Sequence, residues 1–236
     1  IPFRDLIRKR LEEVYNYQRL SAPFREGSYY YFYKNDGLQN QSVLYRTKGE
    51  KGEPEVFLDP NSFSKDGTTS LAGISFTSDG EIAAYQISQG GSDWRKVIVI
   101  ATSDKRVLED TLVDVKFSGI AWRGREGFYY SSYDKPVGSA LSSKTQHHKL
   151  FFHRLGTSQQ RDELIFGGDA TPRRYIGAGL TEDERFLVVT AATSTTGNEL
   201  YVRDLKDPKG KLQVIVSNFD NEYNIIDNDR DRLLAQ

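Results

Sequence analysis

The chain has 236 residues, with 32 Lys and Arg against 33 Asp and Glu and a formal net charge of −1. That balance leaves no basic excess to neutralise phosphates, so a general nucleic-acid or membrane-surface role is excluded, and no stretch approaches the roughly 18 apolar residues of a spanning helix. There is no Cys and no Met; disulfides and thiolate-bound metal are therefore excluded, the compartment stays open between cytoplasm and periplasm, and a chain that begins at Ile1 is expected to be a piece of a longer gene product.

Phe3, Leu6, Ile7, Leu11, Val14 and Tyr15 fall at helical spacing with charges between them. The pattern predicts an amphipathic helix over residues 3–16. Its apolar stripe needs a partner surface, so residues 1–19 read as a linker helix and residues 20–236 as a separate body.

From Tyr17 onward the chain reads as short strands rich in Tyr, Phe, Val and Ile, bounded by Gly, Asp, Asn and Pro. A turn signature recurs before them: Arg25-Glu26-Gly27, Ser78-Asp79-Gly80, Arg125-Glu126-Gly127, then weaker copies at Glu182-Asp183-Glu184 and Arg230-Asp231. Aligned on Gly27, Gly80, Gly127, Glu184 and Asp231, the copies lie about fifty residues apart. A period of that size, filled with strands, is the signature of β-propeller blades. The fold class expected is all-β: a partial propeller of four four-stranded blades and the start of a fifth. The first blade takes strands at 21–25, 28–34, 42–47 and 55–58; the second at 73–77, 81–88, 95–101 and 106–112. The third takes 118–122, 127–133, 149–154 and 162–166; the fourth 175–181, 185–191, 199–204 and 212–217. A fifth begins at 223–227 and 232–235. A polar insertion at 134–148 interrupts the third blade.

The residues alone carry little chemistry. No Gly-x-Ser-x-Gly elbow occurs, so the commonest serine-hydrolase nucleophile signature is missing. Gly90-Gly91-Ser92-Asp93-Trp94 reads as a turn, because neither a nucleophile context nor a Gly-Lys-Ser/Thr phosphate loop follows. His147, His148 and His153 have a spacing open to metal, but with no ordered carboxylate nearby a hydrogen-bonded role is the better reading. Asp227, Asp229 and Asp231 alternate without the Gly and Glu of a calcium loop. No catalytic residue, metal ligand or cofactor site is expected in this chain. At this level it reads as a non-catalytic propeller segment, with a free-standing interaction scaffold as the alternative.

Longer strings point further. Gly37-Leu38-Gln39-Asn40-Gln41-Ser42-Val43-Leu44-Tyr45 is followed in order by Val56-Phe57-Leu58-Asp59-Pro60-Asn61, Gly91-Ser92-Asp93-Trp94 and Val115-Lys116-Phe117-Ser118-Gly119-Ile120-Ala121-Trp122. Lys149-Leu150-Phe151-Phe152-His153-Arg154-Leu155-Gly156-Thr157 and Asn218-Phe219-Asp220-Asn221-Glu222-Tyr223 complete the series. Together they resemble the prolyl oligopeptidase family along essentially the whole chain; oligopeptidase B, acylaminoacyl peptidase and dipeptidyl peptidase IV share the architecture, but the Gly-Leu-Gln-Asn-Gln string favours the prolyl oligopeptidase branch. The resemblance implies a seven-bladed open propeller over an α/β-hydrolase domain, which is the expected partner of the helix. It also implies a monomeric serine peptidase that cuts short peptides after proline, its Ser-Asp-His triad lying outside this chain. In that family the propeller covers the active site, excludes large folded substrates and lines part of the pocket, and the resemblance implies the same role here. By that resemblance Phe117 is a lining residue on a strand leading into the innermost part of the third blade, and Ile176 and Arg203 fall near two further lining positions. Glu199 departs from the pattern of the family's animal members, in which that position is often basic.

Overall fold

The computed structural model describes residues 2–134 and 145–236. The helix, α1, spans Arg4–Tyr15, and none of its residues is buried. Phe3, Leu6, Ile7, Leu11 and Val14 all lie exposed along it.

Among the described residues nineteen strands follow, grouped into sheets by sequence order. The first sheet holds β1 (Arg19–Leu20), β2 (Phe24–Glu26), β3 (Tyr29–Asn35), β4 (Val43–Lys48) and β5 (Glu55–Leu58). Both β1 and β2 pair along the same edge of β3, so together they act as one interrupted first strand. The second sheet is β6 (Thr69–Phe76), β7 (Ile82–Gln89), β8 (Trp94–Ala101) and β9 (Val107–Lys116). The third is β10 (Ala121–Arg123), β11 (Gly127–Ser132), β12 (Lys149–Arg154) and β13 (Glu163–Gly167). The fourth is β14 (Tyr175–Leu180), β15 (Phe186–Ala192), β16 (Glu199–Asp204) and β17 (Gln213–Val216), and a hairpin of β18 (Ile225–Asp229) and β19 (Arg232–Ala235) begins a fifth. Every sheet is an antiparallel meander with strands in chain order, so the four-bladed reading and its half blade hold.

Period-two alternation decides how the sheets stack. Ala83 and Tyr85 of β7 face the first sheet and pack with Tyr31, Leu44 and Phe57. Ala84, between them, faces the third sheet and packs with Trp122, Phe128 and Tyr130. Tyr129 of β11 points the other way, to Ile176, Leu187 and Val189 of the fourth sheet. Each middle sheet is therefore apolar on both faces. Tyr31, Phe128, Leu150 and Leu187 are fully enclosed, each stabilising the stack by about 1.5–3 kcal/mol. A one-residue slip in any middle strand would exchange its two faces.

The turns explain the repeat and correct its alignment. Thr77 Oγ1 donates to Asp79 Oδ1, which also accepts from the Glu81 amide, and Gly80 takes φ 72°. Thr181, Asp183, Arg185 and Glu184 repeat that arrangement, with Glu184 at φ 57°. In the third sheet the left-handed residue is Gly124, not Gly127, and in the last hairpin it is Arg230, not Asp231. The copies align on the backbone conformation rather than on the glycine nearest the strand. Strand limits also move: β6 starts four residues before the expected 73, and β9 runs four beyond the expected 112. Of the expected insertion at 134–148, residues 135–144 lie outside the described residues.

Candidate functional site

The outer strand β9 does not end cleanly. Its register against β8 shifts between Arg95 and Val97, and Asp114 takes φ 54°, the bulge that an extra residue forces on an edge strand. The strand closes at Lys116, and Phe117 turns with φ 53°. Phe117 thus belongs to the turn leaving the second sheet, not to an inner strand of the third; the third sheet starts only at Ala121. The left-handed backbone takes the ring out of the pleat, where it stays 41% exposed.

There it meets two tyrosines from different sheets. The Phe117 ring lies 6.2 Å from Tyr133 at 83° and 5.9 Å from Tyr175 at 61°. These are edge-to-face contacts, each worth about 0.5–1.5 kcal/mol beyond area burial. Lys116 Nζ sits 5.0 Å from the Phe117 centroid and 5.0 Å from that of Trp94. Tyr133 stacks on His148 at 4.3 Å and 23°. Burial, with Tyr175 beside it, pushes the Tyr133 phenol up to about 12, so it stays protonated. Arg174, just before Tyr175, donates from Nε to Glu199 Oε2 at 2.9 Å and from Nη2 to Oε1 at 3.3 Å, and its guanidinium lies 4.7 Å from the Phe219 ring. One end of the second to fourth sheets therefore presents an aromatic edge beside a paired Arg and Glu. Such an edge offers stacking surface and directed donors, the means of gripping an extended peptide.

The other expected site residues lie elsewhere. Ile176 is 2% exposed, within the core between the third and fourth sheets. It adjoins the aromatic edge through Tyr175 but fills the seam beneath it. Arg203 is at the far end of the fourth sheet. It pairs with Leu187, whereas Ile176 pairs with Ala191 on the same central strand, a separation of about 13 Å at ~3.3 Å per residue. Arg203 shares the strand face of Tyr201, which packs toward the third sheet. Phe117 and Arg203 are not brought together.

The three histidines part company as well. His147 Nδ1 lies 2.7 Å from Asp169 Oδ1 without hydrogen-bond alignment. His148 is wholly buried, with Nε2 3.1 Å from the Lys116 carbonyl and Nδ1 accepting from the Ile176 amide at 2.9 Å. His153 lies between Asp162 at 2.8 Å and Asp110 at 3.2 Å, and Asp162 also accepts from the Tyr130 hydroxyl at 2.7 Å. Among the described residues no group of three potential ligands is placed to hold a metal ion. Tyr133, Tyr175 and Arg174 were not singled out by sequence; their only signal is that two of them flank the Gly167-Gly168 linker downstream and the third opens the insertion.

Stacked four-stranded antiparallel meanders with apolar faces on both sides define this as a β-propeller. The family described as "Prolyl oligopeptidase, N-terminal beta-propeller domain" matches residues 1–236. The chain is 58% identical over 234 residues to a prolyl endopeptidase of Elizabethkingia meningoseptica, covering 99% of this chain and 33% of that protein. It is 34% identical over 258 residues to prolyl oligopeptidase A of Amanita bisporigera, covering 94% and 34%. Among solved structures, a prolyl endopeptidase superposes with a TM-score of 0.83 at 30% identity, over 98% of this chain and 33% of that one. Prolyl oligopeptidase B of Galerina marginata, bound to a 35-residue hydrolysis and macrocyclization substrate, gives 0.85 at 28% identity, over 96% and 36%. The chain belongs to the prolyl oligopeptidase family, as its N-terminal β-propeller part. It spans about a third of the length of the curated relatives it matches.

Proposed function

We propose that this chain is the gating and substrate-selecting propeller segment of a proline-specific serine endopeptidase acting on short peptides, with the catalytic triad outside the chain. The family match along residues 1–236 supports the peptidase class. The observation that carries the selecting role is the half-exposed aromatic edge of Phe117, on the turn leaving the second sheet, and Tyr175, at the start of β14. A core aromatic would be enclosed like Phe128. Ile176 supports that edge from below, whereas Arg203, at the far end of the fourth sheet, would meet only a part of the substrate that reaches beyond it. The exposed stripe of α1 is the face that docks on the hydrolase domain.

The test is Phe117→Ala in the full-length peptidase, assayed with proline peptides of increasing length upstream of the cleaved bond. The specificity constant is expected to fall about five- to a hundredfold, as for a lost aromatic contact of ~1–3 kcal/mol. The loss should grow with upstream residues while the melting temperature holds nearly steady. Equal loss for every peptide, together with a large fall in melting temperature, would make Phe117 a packing residue. The 236-residue chain alone is expected to show no inhibitor-sensitive cleavage of a chromogenic proline peptide.

A further inference from the structure

The His148 side chain hydrogen-bonds across both seams at the aromatic edge. It sits in the third sheet's connection between β11 and β12, immediately before β12. Its ring reaches the last residue of β9 in the second sheet and the second residue of β14 in the fourth. Its chemistry is determined by its partners. The Ile176 amide can only donate, so Nδ1 carries no proton; the Lys116 carbonyl can only accept, so Nε2 carries the hydrogen. An imidazolium would set one N–H against another. Burial agrees, holding the ring neutral with its pKa pushed down to about 4.

Both partners adjoin the residues that matter. Lys116 precedes Phe117, and Ile176 follows Tyr175. Tyr133 lies over the imidazole and touches Phe117. The His148 carbonyl also accepts from the Gly168 amide at 2.8 Å, tying down the linker that leads to Tyr175. We propose that His148 is a positioning residue: its neutral ring locks the turn at Phe117 and the start of β14 into one rigid unit, so that Phe117 and Tyr175 meet the substrate with fixed spacing. The functional half of this inference rests on the reading of Phe117 as a substrate-facing residue; the mechanical half stands on the two hydrogen bonds alone.

Three variants of the full-length peptidase test both halves. H148L fills the space without donor or acceptor. H148Q restores one of each, at about the spacing of the ring nitrogens. F117A reports on the pocket itself. Amide exchange is followed over residues 175–180, and kcat and KM are measured with short and upstream-extended peptides. In H148L the Ile176 amide, left without its buried acceptor, is expected to exchange about tenfold faster or more. The extended peptides should lose about tenfold in kcat/KM relative to the shortest, chiefly through KM. H148Q should restore both to within about threefold of the parent. Unchanged exchange in H148L would overturn the proposal. So would faster exchange with no length-dependent loss while F117A shows one, or a failure of H148Q to rescue. If F117A itself shows no length dependence, the pocket reading falls, and exchange still decides whether His148 locks the seam. Should H148L not accumulate as folded protein, H148N, whose shorter amide reaches one partner only, serves the same comparison.

Discussion

Gly167 closes β13 immediately before the linker to the fourth sheet, at φ 101° and ψ −157°. Only glycine occupies that region comfortably; other residues cost about 1–3 kcal/mol there. Space is short as well. A Cβ would press on the His148 carbonyl oxygen and stand 2.6 Å from Ile176 Cδ1. Neither neighbour yields easily, because the first is backbone held by the Gly168 amide and the second is buried core. Overpacking of this kind adds about 1–3 kcal/mol. Gly167→Ala should therefore destabilise by about 4 kcal/mol, which at ~2–4 °C per kcal/mol lowers the melting temperature by roughly 8–16 °C. Gly90→Ala is the internal control. Its φ is 59°, but nothing lies within 4 Å of the added carbon, so it carries only the left-handed cost of ~1–2 kcal/mol. Both are measured by scanning calorimetry on the protein that carries this segment. If the two variants melt within a degree or two of each other, the close approach at the third seam is not what Gly167 provides.

Two histidines should shape the pH dependence of stability from opposite sides. His148 has its folded value lowered from 6.5 to about 4 by burial, beneath Tyr133 and against the carbonyl of Lys116. Its contribution is present above 6.5 and is lost as pH falls toward about 4. That gap amounts to about 3 kcal/mol at ~1.36 kcal/mol per pH unit. For His153, burial alone would lower the value, but the hydrogen bond and charge of Asp162, with Asp110 opposite, outweigh it and raise the folded value above 6.5. Its contribution is present below 6.5 and fades as pH rises through the raised value. Denaturant titrations from pH 4 to 9 should show the acid limb flattened in H148Q and the alkaline limb flattened in H153Q; limbs that match the parent in both variants would refute the assignments. For α1, Leu6→Asp with Leu11→Asp should weaken association with the remainder of the peptidase by several kcal/mol, estimated from the apolar stripe at ~25 cal/mol per Å². Unchanged stability of the intact protein would show that the stripe has no partner there.

Local pattern was enough for the scaffold. The helix follows from its 3.6-residue stripe, and the strands from period two and the turn residues between them, both of which act within a few neighbours of chain. The double-faced apolar strands, such as Phe128-Tyr129-Tyr130, even carry the instruction to stack sheets on both sides. Phe117 was reachable through its resemblance to a family string, but its setting was not: the bulge at Asp114 and the left-handed turn depend on how β9 pairs with β8. The buried ties lay further out of reach. His148 bonds to partners 32 and 28 residues away, and His153 bonds to Asp110 43 residues away. The doublet His147-His148 looked alike in sequence, yet one ring is half exposed against Asp169 and the other is sealed between three sheets. Ile176 and Arg203, near lining positions by resemblance, proved to lie in the seam and at the opposite end of the sheet. The physical reason is the same in each case. Composition and periodicity set which face of a strand is apolar, whereas the packing of one sheet on the next decides which polar atoms on those faces are shut away from water and must find partners.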